Sequence, residues 1–226
     1  MTNSTQGISS NIKVSGTSLQ TVKSFKYLGS IISDEGSKPE VVARIAQTTA
    51  VLSKLQTIWR DKKISLRSKI QLMRSLAISV LLYACKTWTL NADLQRRILA
   101  TEMRCYRKIL GIHYTDHVTN EEVRNKVQQA IGPHDDLLTV VKKRKMRWYG
   151  HVSRSTGLAK TILQGTVKGS RRRGRQRKRW EDNIQEWTGL NLATSQRAVE
   201  DRDRWRRVVA GSSQVPQRPQ QRSRDR

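Results

Sequence analysis

The densest charge in the chain lies between Ser170 and Trp180. Seven of the nine residues from 171 to 179 are lysine or arginine, and a tryptophan follows directly. So many neighbouring cations cannot be buried in a folded core, because each would need a partner of opposite charge. Guanidinium groups match phosphate in geometry, and an indole ring offers a face on which a base can stack. We therefore expect nucleic acid to bind this run. The residues concerned are Arg171, Arg172, Arg173, Arg175, Arg177, Lys178, Arg179 and Trp180.

Two other interpretations of this run stay open, and a third is discounted. A basic run of this kind is also compatible with a nuclear localisation signal. Arg173-Gly174-Arg175 resembles the core of a motif that enters the minor groove of DNA, but Gln176 stands where that motif has proline. Trp180 can instead pack, together with Trp187, in the core of the following helix and so anchor the run.

A second group of cations, five within six residues, lies on a predicted helix. Consecutive helical residues point in different directions, so part of this charge must serve ordinary solvation. The excess over neighbouring acids nevertheless favours a surface that follows phosphates. The residues of this group are Lys142, Lys143, Arg144, Lys145 and Arg147.

His151 follows Trp148-Tyr149-Gly150, and two roles fit that position. The imidazole can contact a phosphate or base beside an aromatic surface. It can equally be a histidine at the end of a helix that packs on the tryptophan. The sequence leaves both interpretations open.

Candidate catalytic and metal-binding residues lack the required spacing. Asp135-Asp136 precedes a helical pattern, where free amides and the helix dipole stabilise acids, so we interpret the pair as a helix start. His113 and His117 have finger-like spacing, but Cys85 and Cys105 are 20 residues apart, too far for a zinc pair. We expect both thiols to be buried and reduced, and we expect no cofactor and no small-molecule substrate.

The overall charge agrees with a polyanionic partner. Forty-four lysines and arginines oppose 18 acids, which gives a formal net charge of +26. Such a chain repels itself unless a polyanion neutralises it. An anionic membrane is the weaker candidate, because no apolar run approaches the roughly 20 residues of a spanning helix. No signal peptide is evident, since residues 1–10 are polar. We therefore expect an intracellular protein, without a membrane partner, that is nuclear and also cytoplasmic as a ribonucleoprotein.

Periodicity predicts a mostly α protein with a short N-terminal β-hairpin. The Ser15-Gly16 turn is flanked by extended patterns of β-branched and aromatic residues between residues 12 and 32, which is typical of a hairpin. Apolar residues then recur at three- and four-residue spacings, with capping residues at Ser65, Thr119 and either His134 or Asp135. Gly111 occupies the position that ends a helix. The predicted helices are 39–59, 66–84, 92–110, 120–130, 136–149, 179–187 and 194–209.

Five phrases occur in a specific order along the chain. They are Phe25–Ile32 with Ala43–Ile45, Leu81–Leu90, Arg147–Arg154, Arg173–Trp180 and Glu200–Trp205. This series resembles the C-terminal part of the reverse transcriptase of non-LTR (LINE-type) retrotransposons. The resemblance covers the chain from about Ile12 to Val209.

The resemblance implies a division into four parts and a function. Residues 1–36 would be a hairpin at the edge of the polymerase palm, and residues 37–117 a thumb-like helical domain. Residues 118–210 would form a basic region that grips template RNA and target DNA, and 211–226 a disordered tail. In that family the catalytic carboxylates and their Mg²⁺ belong to a palm upstream of the hairpin, which this chain lacks. We therefore expect no polymerase activity from the isolated chain, and expect it to be a truncated copy or a retained binding domain. The alternatives are a domesticated RNA- or chromatin-associated adaptor, or a transposon relic without function.

Overall fold

The structure is a computed structural model that describes residues 13–165 and 177–211. Short antiparallel hairpins form its beginning, and α-helices form most of the rest. The predicted fold class is therefore confirmed. The predicted tail falls, from residue 212 onward, outside the described residues. In the described part of the chain, no helix is both long and apolar enough to cross a membrane.

Two separate hairpins open the fold. Strand β1 (Lys13–Val14) pairs with β2 (Thr17–Ser18), and β3 (Ser24–Tyr27) pairs with β4 (Ser30–Ser33). The second hairpin turns through Leu28-Gly29, both with positive φ (46° and 81°). Two-residue turns of this kind match the twist of antiparallel strands and require such φ angles at both positions, which glycine adopts without strain.

The turn of the second hairpin is fastened to the helical part of the chain. Arg44 donates from one guanidinium nitrogen to the carbonyl of Gly29 (2.5 Å) and from Nε to the Glu40 carboxylate (2.7 Å). Glu40 in turn accepts from the amide of Ile31 (2.6 Å). The ring of Tyr83 lies 4.4 Å from the Arg44 guanidinium, and its hydroxyl donates to the turn. A buried ion pair therefore positions the hairpin.

The first half of the helical part surrounds one long helix, α5. Its α-helices are α1 (Lys38–Lys54), α2 (Gln56–Arg60), α3 (Leu66–Leu72), α4 (Ser79–Leu81), α5 (Ala92–Leu110) and α6 (Asn120–Ile131). A π-helical stretch, Met73–Ile78, joins α3 to α4, and short 3₁₀ turns lie at Cys85–Thr87 and Tyr114–Asp116.

The second half is built on α7, which packs against α5. Its helices are α7 (Leu137–Arg154), α8 (Leu158–Gln164), α9 (Asp182–Thr188), α10 (Leu192–Glu200) and α11 (Arg202–Gly211). One cluster of buried hydrophobic residues runs from Val41 to Val209 and includes both halves.

Most predicted helix ends are confirmed by side-chain caps. Ser65 accepts from the amide of Ser68, and Thr119 and Glu122 form a reciprocal capping box. Gly111 ends α5 in the left-handed conformation. The predicted cap of α7 was wrong by one or two residues, because Asp136 is the residue whose carboxylate accepts from the helix (Thr139 amide, 2.6 Å).

Several predicted helices differ in extent. The helix predicted over 39–59 ends at Lys54, and α2 continues after Leu55. The helix predicted over 66–84 is π-helical from Met73 to Ile78 and ends at Leu81.

The later helices differ as well. The helix predicted from Arg179 begins at Asp182. The helix predicted over 194–209 is divided at Asp201, whose carboxylate caps α11 by accepting from two amides. Helix α7 continues beyond Tyr149 to Arg154, and Gly150 within it lies against a ring of α11.

Candidate nucleic-acid interface

The cations predicted on α7 do not share one surface. Arg144 and Arg147 are exposed, and Lys142 and Lys143 are half-buried. Lys143 forms an ion pair with Asp135 (2.7 Å), which reduces its availability to a phosphate. Burial lowers the pKa of Lys142, whose ammonium lies 5.6 Å from the centre of the Trp187 ring.

Lys145 was predicted to bind nucleic acid, and this prediction was wrong for a geometric reason. The side chain is completely buried. Its ammonium donates to the carbonyl of Trp88 (2.7 Å) and to Oδ1 of Asn183 (3.0 Å). It also lies 4.2 Å from the centre of the Trp180 ring. Burial, with a smaller contribution from Lys178, lowers the pKa of Lys145 to about 6. Lys145 therefore holds helices together and cannot reach a phosphate.

The exposed face of α7 and helix α11 enclose a groove of about 600 Å³, the α7–α11 groove. Its floor is apolar, and Trp205 contributes to it. Arg147 and Arg202 are exposed and have no carboxylate within 4 Å in the described ranges. The cationic and imidazole side chains that line the groove are Lys143, Arg147, His151, Arg154, Arg202 and Arg206.

His151 is exposed and lines this groove. Gly150, one residue earlier, is the residue that meets a tryptophan ring. His151 is therefore open to solvent rather than packed on a tryptophan, and its contact with a phosphate or base stays a prediction.

A larger groove lies beside α5 and was missed by the sequence analysis. It encloses about 1060 Å³, and neither aspartate nor glutamate is among its lining residues. Helix α5 contributes Arg96, Arg104, Arg107 and Lys108, and residues 60–69 and α6 contribute the other cations. We call it the α5 groove. Its cationic residues are Arg60, Lys62, Lys69, Arg96, Arg104, Arg107, Lys108 and Arg124.

Some cations of the α5 groove are engaged in holding the fold. Lys69 is buried and donates to the carbonyl of Trp59 (2.8 Å). Arg107 donates to the carbonyl of Val118 (2.9 Å) and to the Asn120 side chain (2.7 Å). Arg96 lies 3.9 Å from the Asp93 carboxylate.

Five exposed cations of the α5 groove have no carboxylate within 4 Å among residues 13–165 and 177–211. Unpaired charges at this density repel one another, and a bound polyanion would remove that repulsion. They are Arg60, Lys62, Arg104, Lys108 and Arg124.

The spacing along α5 suits a chain of phosphates. Arg104 and Lys108 are one turn apart, a rise of about 6 Å, and Arg96 lies about 12 Å before Arg104. The four-residue spacing of Arg104 and Lys108 was the one feature of the sequence that could have predicted a cationic face on α5. The contributions from α2 and α6 leave no signal in the sequence, because only folding brings them beside α5.

The basic run after residue 170 is described only from Arg177. Arg177 and Arg179 are exposed, and Arg177 donates to the carbonyl of Asp34 (2.6 Å). Lys178 forms an ion pair with Glu186. The other predicted cations of the run lie outside the described residues. They are Arg171, Arg172, Arg173 and Arg175.

Trp180 is half-buried, and neighbouring side chains cover its ring. Its indole N–H donates to the carbonyl of Lys86 (2.8 Å). The ring packs edge-on against Trp148, with centroids 5.3 Å apart, and lies near Tyr149 and Lys145. This arrangement matches the interpretation of Trp180 as an anchor of the basic run rather than as a stacking platform.

The other titratable clusters have structural roles. Glu102, buried on α5, accepts from the amide of Leu137 and from the hydroxyl of Tyr106 (3.1 Å each), and so fastens α5 to the start of α7. Burial raises the pKa of Glu102. Glu102, Arg144 and His134 line a cavity of about 310 Å³.

The two cysteines are buried and free, as predicted. Burial raises the pKa of both thiols, that of Cys105 to about 12. Among the described residues, no three His, Cys, Asp or Glu side chains are grouped as a metal site would require. Of the acid pair, Asp136 caps α7 and Asp135 binds Lys143, so the helix-start interpretation is confirmed.

Comparison with known proteins gives a single kind of relationship. No protein-family model and no solved structure matches this chain significantly. A protein of Caenorhabditis elegans, named as an uncharacterised transposon-derived protein, is 29% identical to it over 177 residues. The alignment covers 75% of this chain and 62% of that protein. The matched chain thus spans less than two thirds of its relative.

Proposed function

We propose that this chain binds RNA or DNA through the sugar-phosphate backbone, as the thumb-like and C-terminal part of a retrotransposon reverse transcriptase. The observation that carries the proposal is the α5 groove, which eight cations and no acid line. The five ordered phrases support an origin in a retrotransposon. The likeness to a relative that is named transposon-derived supports a transposon origin as well.

Binding in these grooves would be electrostatic. Each lysine or arginine that neutralises a phosphate releases condensed counterions, so affinity falls as salt rises. The expected slope of log affinity against log salt is about −0.9 per contact on duplex DNA and about −0.7 on single strands. The α7–α11 groove and the run from Arg171 to Arg179 would extend the same surface.

The isolated chain is proposed to lack polymerase activity. Phosphoryl transfer of this kind needs a carboxylate pair that holds two divalent metal ions. Asp135 and Asp136, the tempting pair, are already occupied by Lys143 and by the start of α7. Template-dependent incorporation of deoxynucleotides by the pure chain with added Mg²⁺ would contradict this proposal.

A second candidate, a domesticated adaptor, is favoured by the single hydrophobic core that extends from Val41 to Val209. A chain with such a core can fold without a polymerase around it. An adaptor would bring a protein partner to the nucleic acid, which a pull-down with the folded chain would detect. A polymerase fragment would bind nucleic acid alone.

Fluorescence anisotropy across a salt series tests the binding proposal. The test variant replaces Arg60, Arg104, Lys108 and Arg124 with serine. The matched control replaces four exposed lysines outside both grooves, Lys13, Lys23, Lys26 and Lys54, and so has the same net charge.

We expect the groove variant to flatten the salt slope on duplex DNA by about three to four units, and the control by less than about one. Equal slopes for the two variants would show that the chain binds only through its net charge, and would contradict a defined interface.

A further inference from the structure

Tyr114 is the most exposed large hydrophobic residue among those the structure describes, with 93% of its surface open to solvent. The six tryptophans are buried or half-buried. Tyr27 is 58% exposed, but its ring packs edge-on against Phe25, with centroids 6.5 Å apart. Tyr83 is exposed, but its hydroxyl donates to the hairpin turn and its ring lies against Arg44. Tyr114 therefore presents an unusually open aromatic face.

The Tyr114 ring is held by a defined turn. Tyr114 is the first residue of the 3₁₀ turn Tyr114–Asp116, which lies between α5 and α6. The carboxylate of Asp116 accepts from the amide of His113 (2.7 Å), which closes the turn. His117 follows in the left-handed conformation, and its ring centroid lies 6.2 Å from that of Tyr114. Two rings thus stand side by side on the surface.

This ring pair lies next in the chain to the lining of the α5 groove. His113, the residue before Tyr114, lines the groove together with Lys108 and Arg124. A polyanion bound to these cations beside His113 would come close to Tyr114. Charge complementarity thus indicates what covers the exposed ring.

We propose that Tyr114 stacks on an unpaired base of a strand whose phosphates lie in the α5 groove, with His117 beside it. This inference rests on the proposed nucleic-acid binding and adds a preference to it. Stacking accepts every base, because each has a π face, but a paired base inside a duplex keeps its faces covered. The site would therefore favour single strands over duplex without reading sequence.

The test compares Tyr114→Ala with Tyr114→Phe, which keeps the ring. Anisotropy is measured with an unstructured single-stranded RNA and with a blunt duplex of the same length. We expect Tyr114→Ala to weaken single-strand binding about tenfold and duplex binding less than about twofold. Tyr114→Phe should bind like the unaltered chain. Circular dichroism and thermal melting confirm that both variants fold.

A second measurement compares the RNA with an abasic strand of the same length, which keeps the phosphates and lacks the bases. The unaltered chain should lose affinity on the abasic strand, and Tyr114→Ala should lose less, because the two changes remove the same contact. Equal affinity of Tyr114→Ala and the unaltered chain, or equal losses on single strand and duplex, would overturn the stacking site alone. No binding of either nucleic acid by the unaltered chain would overturn the proposed function as well.

Discussion

Gly150 of helix α7 lies directly against the indole ring of Trp205 on helix α11. A Cβ atom at residue 150 would be only 2.4 Å from Nε1 of that ring and 2.6 Å from Cδ1. The indole N–H donates to the carbonyl of Met146 (3.0 Å), so the ring cannot easily move away. The close approach of the two helices therefore depends on glycine at this position.

The first prediction follows from this contact. Gly150→Ala should lower the free energy of unfolding by about 1–3 kcal/mol, because the added methyl overpacks the junction of α7 and α11. Urea denaturation measures the change. Gly211→Ala is the control, since nothing lies within 4 Å of a Cβ there. Equal stability of the two variants would show that the helices can separate without cost.

A second prediction concerns pH and Lys145. The pKa of its folded-state ammonium is about 6 against an ordinary 10.5, so between these values the unfolded chain binds one more proton. Stability should therefore rise with pH across this window, by up to about 1.4 kcal/mol per unit from this group. Lys145→Met should remove this contribution to the pH dependence of the free energy of unfolding.

Stability of the Lys145 variant is measured by denaturation at several values between pH 6 and pH 9. The free energy of unfolding should still rise somewhat with pH in this variant, because burial also lowers the pKa of Lys142. Lys54→Met, at an exposed position on α1, serves as the control and should leave the slope unchanged. A slope in Lys145→Met identical to that of the unaltered chain would mean that Lys145 is charged when folded.

A third prediction tests how the C-terminal helices attach to the core. Asn183, fully buried, donates to the carbonyl of Leu90 (2.8 Å) and accepts from its amide (2.7 Å) and from Lys145. Asn183→Ala leaves these buried groups unsatisfied and should cost about 3 kcal/mol. Thermal unfolding gives the measurement, with the exposed Asn125→Ala as a neutral comparison. A loss of thermal stability no greater than that of Asn125→Ala would show that Asn183 does not hold the C-terminal helices to the core.

A fourth prediction concerns the α7–α11 groove. Replacing Arg147 and Arg202 with serine should flatten the salt slope on duplex DNA by about two units, one for each lost phosphate contact. Replacing Lys26 and Lys54 instead, which lie outside both grooves, should change it much less. Should the two double variants behave alike, this groove is not part of the interface.

The local features of the fold could be predicted from the sequence. Ser65, Thr119 and Gly111 begin or end helices where the pattern indicated, and Ser15-Gly16 forms the predicted turn. The turn at Leu28-Gly29 was not predicted, so the structure has two hairpins where the sequence indicated one. These features depend on hydrogen bonds and φ angles within a few residues, so neighbouring residues suffice to determine them. The high charge and its implied polyanionic partner are likewise properties of composition.

Only the tertiary structure decided which cations face solvent. Among five cations in six residues, Lys145 became part of the core, because Trp88 and Asn183 arrive from distant parts of the chain to accept its hydrogen bonds. The α5 groove likewise gathers cations between Arg60 and Arg124 from separate helices. The sequence by itself determined that the protein is mostly helical and strongly basic. The packing of the helices decided which cations share a surface, because such a surface is made of residues that are neighbours only in space.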